Sequence, residues 1–160
     1  MGVAGAGKST LAKVLATALD WLCLEGDDYH PATNIEKMVE GKALDDHDRA
    51  AWLEYLHRRI VELDSRGASA VVACSALKAS YRRMLAEEVS DMRFVFLRGS
   101  AEAIAQRLSR RRGHFMPPAL LESQLAALEP PEEAIVVPIE MTAEEQAERV
   151  IGTIRGALHR

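Results

Sequence analysis

The segment GVAGAGKST, residues 2–10, constrains this chain more than any other feature. It fits the pattern G-x-x-x-x-G-K-[ST] with Gly2, Gly7, Lys8 and Ser9 at the fixed positions. Gly2, Gly5, Ala6 and Gly7 are small enough for successive backbone N–H groups to turn inward around a phosphate. Lys8 reaches the β- and γ-oxygens of a nucleotide, and the Ser9 hydroxyl ligates Mg²⁺. Thr10 carries the loop into a helix whose positive end faces the phosphates. An amphipathic stretch begins where such a loop needs a helix, with Leu11, Val14, Leu15 and Leu19 on one stripe. ATP with Mg²⁺ is therefore the expected cofactor pair. A guanine-specific switch would want an Asn-Lys-x-Asp signature, which the sequence lacks.

A loop of this kind normally follows a buried strand, yet its first glycine here is residue 2. That strand would lie mid-sheet. Two or three buried aliphatic side chains on it would contribute about 3–9 kcal/mol, comparable with the roughly 5–15 kcal/mol of a whole domain. The expectation is that the first strand is truncated, that the 160-residue form is poorly stable and weakly active, and that the natural protein starts several residues upstream.

Further along, short apolar runs alternate with helical patterns, which predicts an α/β fold with a parallel sheet. The spacing predicts helices over residues 9–20, 34–39, 48–66, 77–88, 101–112 and 117–128, and strands over 21–24, 69–74, 93–98 and 135–139. Asp48 is the expected N-cap of the long helix and Gly67 its terminator. Thr142 and Glu145 form a capping box ahead of a C-terminal helix. The charged helix, Gly-His-Phe turn and second helix across residues 107–128 have the shape of a lid inserted between core strands.

Length fits one domain spanning residues 1–160. A net charge of −4 argues against a general nucleic-acid binder. Cys23 and Cys74 form no CxxC pair, so zinc and disulfide frameworks lack support. Each cysteine sits in an apolar run and is expected to be a buried, reduced thiol, which fits a cytoplasmic protein. No apolar run reaches the ~18 residues of a membrane helix.

The run LEGDDYHP places carboxylates at a strand's C-terminal end, where open α/β sheets bind ligands. A kinase acting on an alcohol needs a carboxylate there to receive or orient the hydroxyl proton, and others to hold Mg²⁺ through water.

With EGDDYHPATNIEKMVEGKALDDHDRAAWL, CSALKASYRRML and RLSRRRGHFMPPALLESQLAALEPP following the loop in order, the chain resembles the gluconokinase family. That family sits among the shikimate- and adenylate-kinase-like P-loop kinases. The resemblance implies a three-layer α/β/α fold with a helical lid, and transfer of the ATP γ-phosphate to the 6-hydroxyl of gluconate. It implies Asp27 as the base facing that hydroxyl and Glu25 near Mg²⁺ through water. His30 and Arg49 would hold the sugar acid. Ser75, Lys78, Tyr81 and Arg82 would follow the central strand, with Lys78 or Arg82 pairing with the substrate carboxylate. Arg107 would stack on adenine, and Arg111 would reach the transferring phosphate. Arg110 and Arg112 are expected in solvent. His114 is either a turn residue or a substrate contact, and Trp52 is either core or a wall of the sugar pocket. His57 and His159 are expected on helix surfaces.

The implied partners are ATP and gluconate, with neither nucleic acid nor membrane, and with a homodimer open to it. A related small-molecule kinase such as shikimate kinase, or a P-loop module that binds nucleotide without turnover, is the alternative.

Overall fold

The computed structural model of the protein describes residues 1–110 and 118–158. Arg111, Arg112, Gly113, His114, Pro117 and His159 of the expectations above lie outside the described residues.

Helix α1 (Lys8–Leu19) starts directly at the glycine loop. Gly7, at φ 101°, takes a left-handed conformation that a side chain would strain. Strand β1 (Leu22–Glu25) follows, then a 3-10 turn over Gly26–Tyr29 and helix α2 (Ala32–Val39). Helix α3 spans Asp46–Ser65 and buries Trp52, Leu53, Leu56, Ile60 and Leu63 at helical spacing. Gly67, at φ 67°, ends the turn that follows it. Strand β2 (Ala70–Ala73), helix α4 (Ala79–Ala86), strand β3 (Val95–Arg98) and helix α5 (Ala101–Ser109) come next. Helix α6 (Pro118–Ala127), strand β4 (Ile135–Pro138) and helix α7 (Ala143–Leu158) complete the order.

The alternation of strands and helices yields the expected α/β architecture with parallel pairing. β1 pairs with β2, Leu22 opposite Ala70 through Glu25 opposite Ala73. β3 pairs with β4, Val95 opposite Ile135 through Arg98 opposite Pro138. Between the pairs lies the start of the chain. Met1 donates its amino group to Val95 O (2.5 Å) and accepts from Leu97 N (3.1 Å), while Gly2 N donates to Ser75 O (3.1 Å).

Two apolar clusters flank the strands. One joins Val3, Leu11, Leu15, Leu97, Val137 and Val150. The other joins Trp52, Leu53, Leu56, Tyr81 and Leu85.

Several expectations are corrected. The N-cap of α3 is Asp45: its carboxylate accepts from Asp48 N (2.8 Å), and Asp48 returns the bond to Asp45 N (3.1 Å). Asp48 thus fills the third helical position of a capping box. Cys23 is exposed, because it is the second residue of β1, whose first two residues are both exposed; Cys74 is buried as expected. Burial pushes the Cys74 thiol up to about 11. His57 is half-buried, and its Nδ1 is shielded with no hydrogen-bond partner among the described residues. The far side of the expected lid is packed down: Leu121 is buried in the main core, and Leu125 and Leu128 pack against it.

Candidate active site

The carboxyl ends of the strands gather the polar residues. Glu25 closes β1 and is in register with Ala73 at the end of β2. Two residues on, Ser75 accepts from Gly2 N, so the acidic turn and the glycine loop share one edge of the sheet. Open parallel sheets bind ligands at this edge.

The glycine loop needs its glycines for two reasons. Gly2, Gly5 and Gly7 have φ of 139°, 82° and 101°. A Cβ on Gly5 would also come within 2.7 Å of Leu108 on α5. The Lys8 ammonium donates to Val3 O (3.1 Å), which folds the lysine back across the loop. Ser9 and Thr10 stand in the first turn of α1, beneath its N–H groups. Gln124 on α6 accepts from Ala4 N (2.7 Å) and ties that helix to the loop.

Arg107 on α5 lies over the same loop. Its guanidinium donates to Ile139 O and lies 3.7 Å from where a Cβ of Gly7 would stand. Gly5, Gly7, Thr10, Arg107, Thr142 and Gln146 line a cavity of about 350 Å³. Buried Gln146, which holds Pro138 O (2.9 Å), carried no sequence signal.

The acidic turn is fixed from behind. Trp52 Nε1 donates to Gly26 O (2.7 Å), and the Trp52 ring stacks on His30 with centroids 4.2 Å apart. Gly26 itself touches β2, since a Cβ there would lie 2.6 Å from Ala73 O. Trp52 is therefore core and pocket wall together: it is buried in the second cluster and backs the histidine. Asp27 projects outward, its side chain 78% exposed, with a carboxylate oxygen 3.9 Å from His30 Nε2. Burial holds the His30 imidazole below its ordinary value; Asp27 opposes that shift and Arg49 adds to it. At neutral pH the ring is an uncharged hydrogen-bonding group. Asn34 meets its Nδ1 (3.3 Å) and also holds Asp48 O (2.8 Å).

A charged group lies at the start of α3. Lys78 Nζ contacts both oxygens of Asp46 (2.7 and 2.8 Å), and Tyr81 donates its hydroxyl to the same carboxylate. Those bonds, Lys78 first, hold Asp46 below the usual carboxylate range. Arg49 faces the Tyr81 ring, its guanidinium carbon 6.0 Å from the centroid. Asp46 was missed by sequence reading, because its partner lies 32 residues away and nothing local marks the pair.

Arg82 differs from Lys78. It is buried and donates to both Ala76 O and Leu77 O (3.0 Å each). It thereby braces the bend at Ala76, whose φ is +43°. Glu129 closes the same bend, accepting from Ala79 N (2.6 Å) and donating its own N–H to Leu77 O (2.9 Å). Among the described residues, no cluster of three or more His, Cys, Asp or Glu side chains could hold a metal by itself. Ser9 and Glu25 would suit Mg²⁺, a hard ion that keeps several waters and takes phosphate oxygens.

A family model described as AAA domain matches residues 1–131. A gluconokinase of Gluconobacter oxydans is 50% identical over 131 residues, covering 82% of this chain and 74% of its own length. The chain belongs to the gluconokinase family. The thermosensitive gluconokinase of Escherichia coli is 43% identical, with 82% of this chain and 71% of that protein covered. The crystal structure of a gluconokinase from Sinorhizobium meliloti superposes with a TM-score of 0.87 at 41% identity, over 95% of this chain and 87% of that one. The gluconokinase family is thus supported by both sequence and fold, and the P-loop kinase architecture with it.

Proposed function

We propose that the protein phosphorylates D-gluconate on its 6-hydroxyl, with ATP as donor and Mg²⁺ as the accompanying ion. One observation carries the reading: a phosphate-binding loop and the exposed Asp27 carboxylate share one sheet edge, in a chain 50% identical to a gluconokinase.

Each residue then has a task. The backbone N–H groups of residues 5–10 and the end of α1 hold the phosphates. Lys8 swings from Val3 O to the transferring phosphoryl group, where charge accumulates. Asp27 takes the hydroxyl proton as the substrate oxygen bonds to the γ-phosphorus and the bond to the β-phosphate oxygen breaks, leaving ADP. Mg²⁺, when bound, neutralises phosphate charge; Ser9 and Glu25 would hold it, Glu25 through water. His30, stacked on Trp52, offers a neutral imidazole to a sugar hydroxyl. Arg49 and Lys78 supply positive charge for the gluconate carboxylate, while the guanidinium of Arg82 is already engaged with backbone carbonyls. Ser75 closes the pocket floor, and Arg107 faces adenine. Arg111 and His114 retain the roles of phosphate contact and substrate contact in this proposal. The reaction belongs in the cytoplasm, where ATP is supplied.

A coupled ADP-release assay over gluconate, other sugar acids and shikimate tests this. Gluconate should give the highest kcat/KM. Faster turnover of shikimate would move the chain to another substrate. ATP binding without ADP release on any acid would leave a nucleotide-binding module.

A further inference from the structure

The cavity beside the glycine loop has one wall built by the start of α7 and the turn before it, with Met141, Thr142, Ala143 and Gln146. Gln146 is the buried polar residue of that wall, 4% exposed. Burying an amide is costly unless its donor and acceptor find partners. Its Nε2 donates to Pro138 O (2.9 Å). A backbone carbonyl only accepts, so Pro138 admits the amide nitrogen and fixes which way the amide points.

The amide oxygen is the unspent group. It has no hydrogen-bond partner among the described residues. Nor is it sealed in the core, because His57 Nδ1 is the one fully shielded side-chain atom without a partner among those residues. The Gln146 oxygen is therefore an open acceptor on a residue that lines the cavity. Neighbouring acceptors are already engaged. Ile139 O takes Arg107, Thr142 O takes Gln146 N (3.0 Å), and the Thr142 hydroxyl takes Glu145 N (3.2 Å).

The two kinds of purine meet such an oxygen differently. Adenine carries an amino donor at its 6-position, whereas guanine carries an acceptor oxygen there. Turning the amide over to suit a 6-oxo purine would break the bond to Pro138 O and set two oxygens against each other. We propose that Gln146 is a specificity residue for the nucleotide base, its amide oxygen accepting from the 6-amino group of adenine and rejecting 6-oxo purines. This rests on reading the glycine loop as an ATP site.

The test is calorimetric binding, without gluconate, of ADP, inosine diphosphate and purine riboside diphosphate, the last of which lacks any 6-substituent. The wild type should bind ADP at least about threefold tighter than the purine analogue and at least about tenfold tighter than inosine diphosphate, the range for one hydrogen bond gained and for one acceptor left facing another. Gln146→Met keeps the length of the side chain and removes the amide. It should weaken ADP to the level of the purine analogue and leave that analogue's affinity unchanged. Weakening of all three alike would mark a purely structural role and overturn the proposal, as would equal binding of ADP and the purine analogue by the wild type. The wild-type comparison stands even if the variant fails to fold. No binding of any of the three would overturn the ATP reading and this inference together; binding without preference for ADP would overturn this inference alone.

Discussion

Two basic residues four positions apart on one stretch of chain have different surroundings, and the difference predicts different defects. Lys78 contacts Asp46 at the surface, whereas Arg82 is buried against two backbone carbonyls. Lys78→Met should raise KM for gluconate at least several-fold with a smaller change in kcat and little change in melting. Arg82→Met leaves two buried carbonyls without their donor, at about 1–3 kcal/mol each, and should lower the melting midpoint first. Equal effects of the two on KM would contradict the distinction. Lys8→Ala should reduce kcat by about 10²–10³, the range for removing one preorganised donor. His30 predicts a pH dependence. Burial holds its imidazole below the ordinary value, so the fold favours the neutral ring; that stability is present above the unfolded value and declines as pH falls through it. Urea midpoints of the wild type and His30→Gln at about pH 5.5 and 8.5, either side of the ordinary histidine value, isolate its share, and equal slopes in the two proteins would contradict the assignment.

At the scale of elements, the turn carrying Asp27 is held by a glycine, a tryptophan and a strand carbonyl. Gly26→Ala would place a methyl 2.6 Å from Ala73 O, which cannot retreat without disturbing β2. Overpacking of this kind costs about 1–3 kcal/mol. The variant should lose stability and, because the turn shifts, activity in excess of that loss; wild-type kcat in a folded Gly26→Ala would contradict the account. Sequence showed this region as a polar stretch and missed the 3-10 turn, because what shapes it is Trp52, 26 residues away. Boundaries failed for a similar reason. Asp45 and Asp48 are both capping residues, and only the reciprocal bonds show which is the cap. Elements with strong local signals were legible: the glycine loop with α1, the apolar stripe of α3, and the Thr142–Glu145 box, whose two bonds are present at 2.8 and 3.2 Å.

For the whole molecule, the parallel α/β arrangement followed from alternating apolar runs and helical stripes. The anchoring of α6 through Leu121 and Gln124 could not be seen that way, since it rests on contacts with the core and with Ala4. The central claim is phosphoryl transfer from ATP to the primary hydroxyl of gluconate. It is tested most directly by ³¹P NMR of the products formed from ATP, Mg²⁺ and D-gluconate. The account predicts ADP and a new phosphomonoester whose signal is split into a triplet by the two protons of C6, with Asp27→Asn slowing its appearance by about 10²–10⁴. No ester, a doublet from a secondary carbon, or an unchanged rate in Asp27→Asn would contradict it.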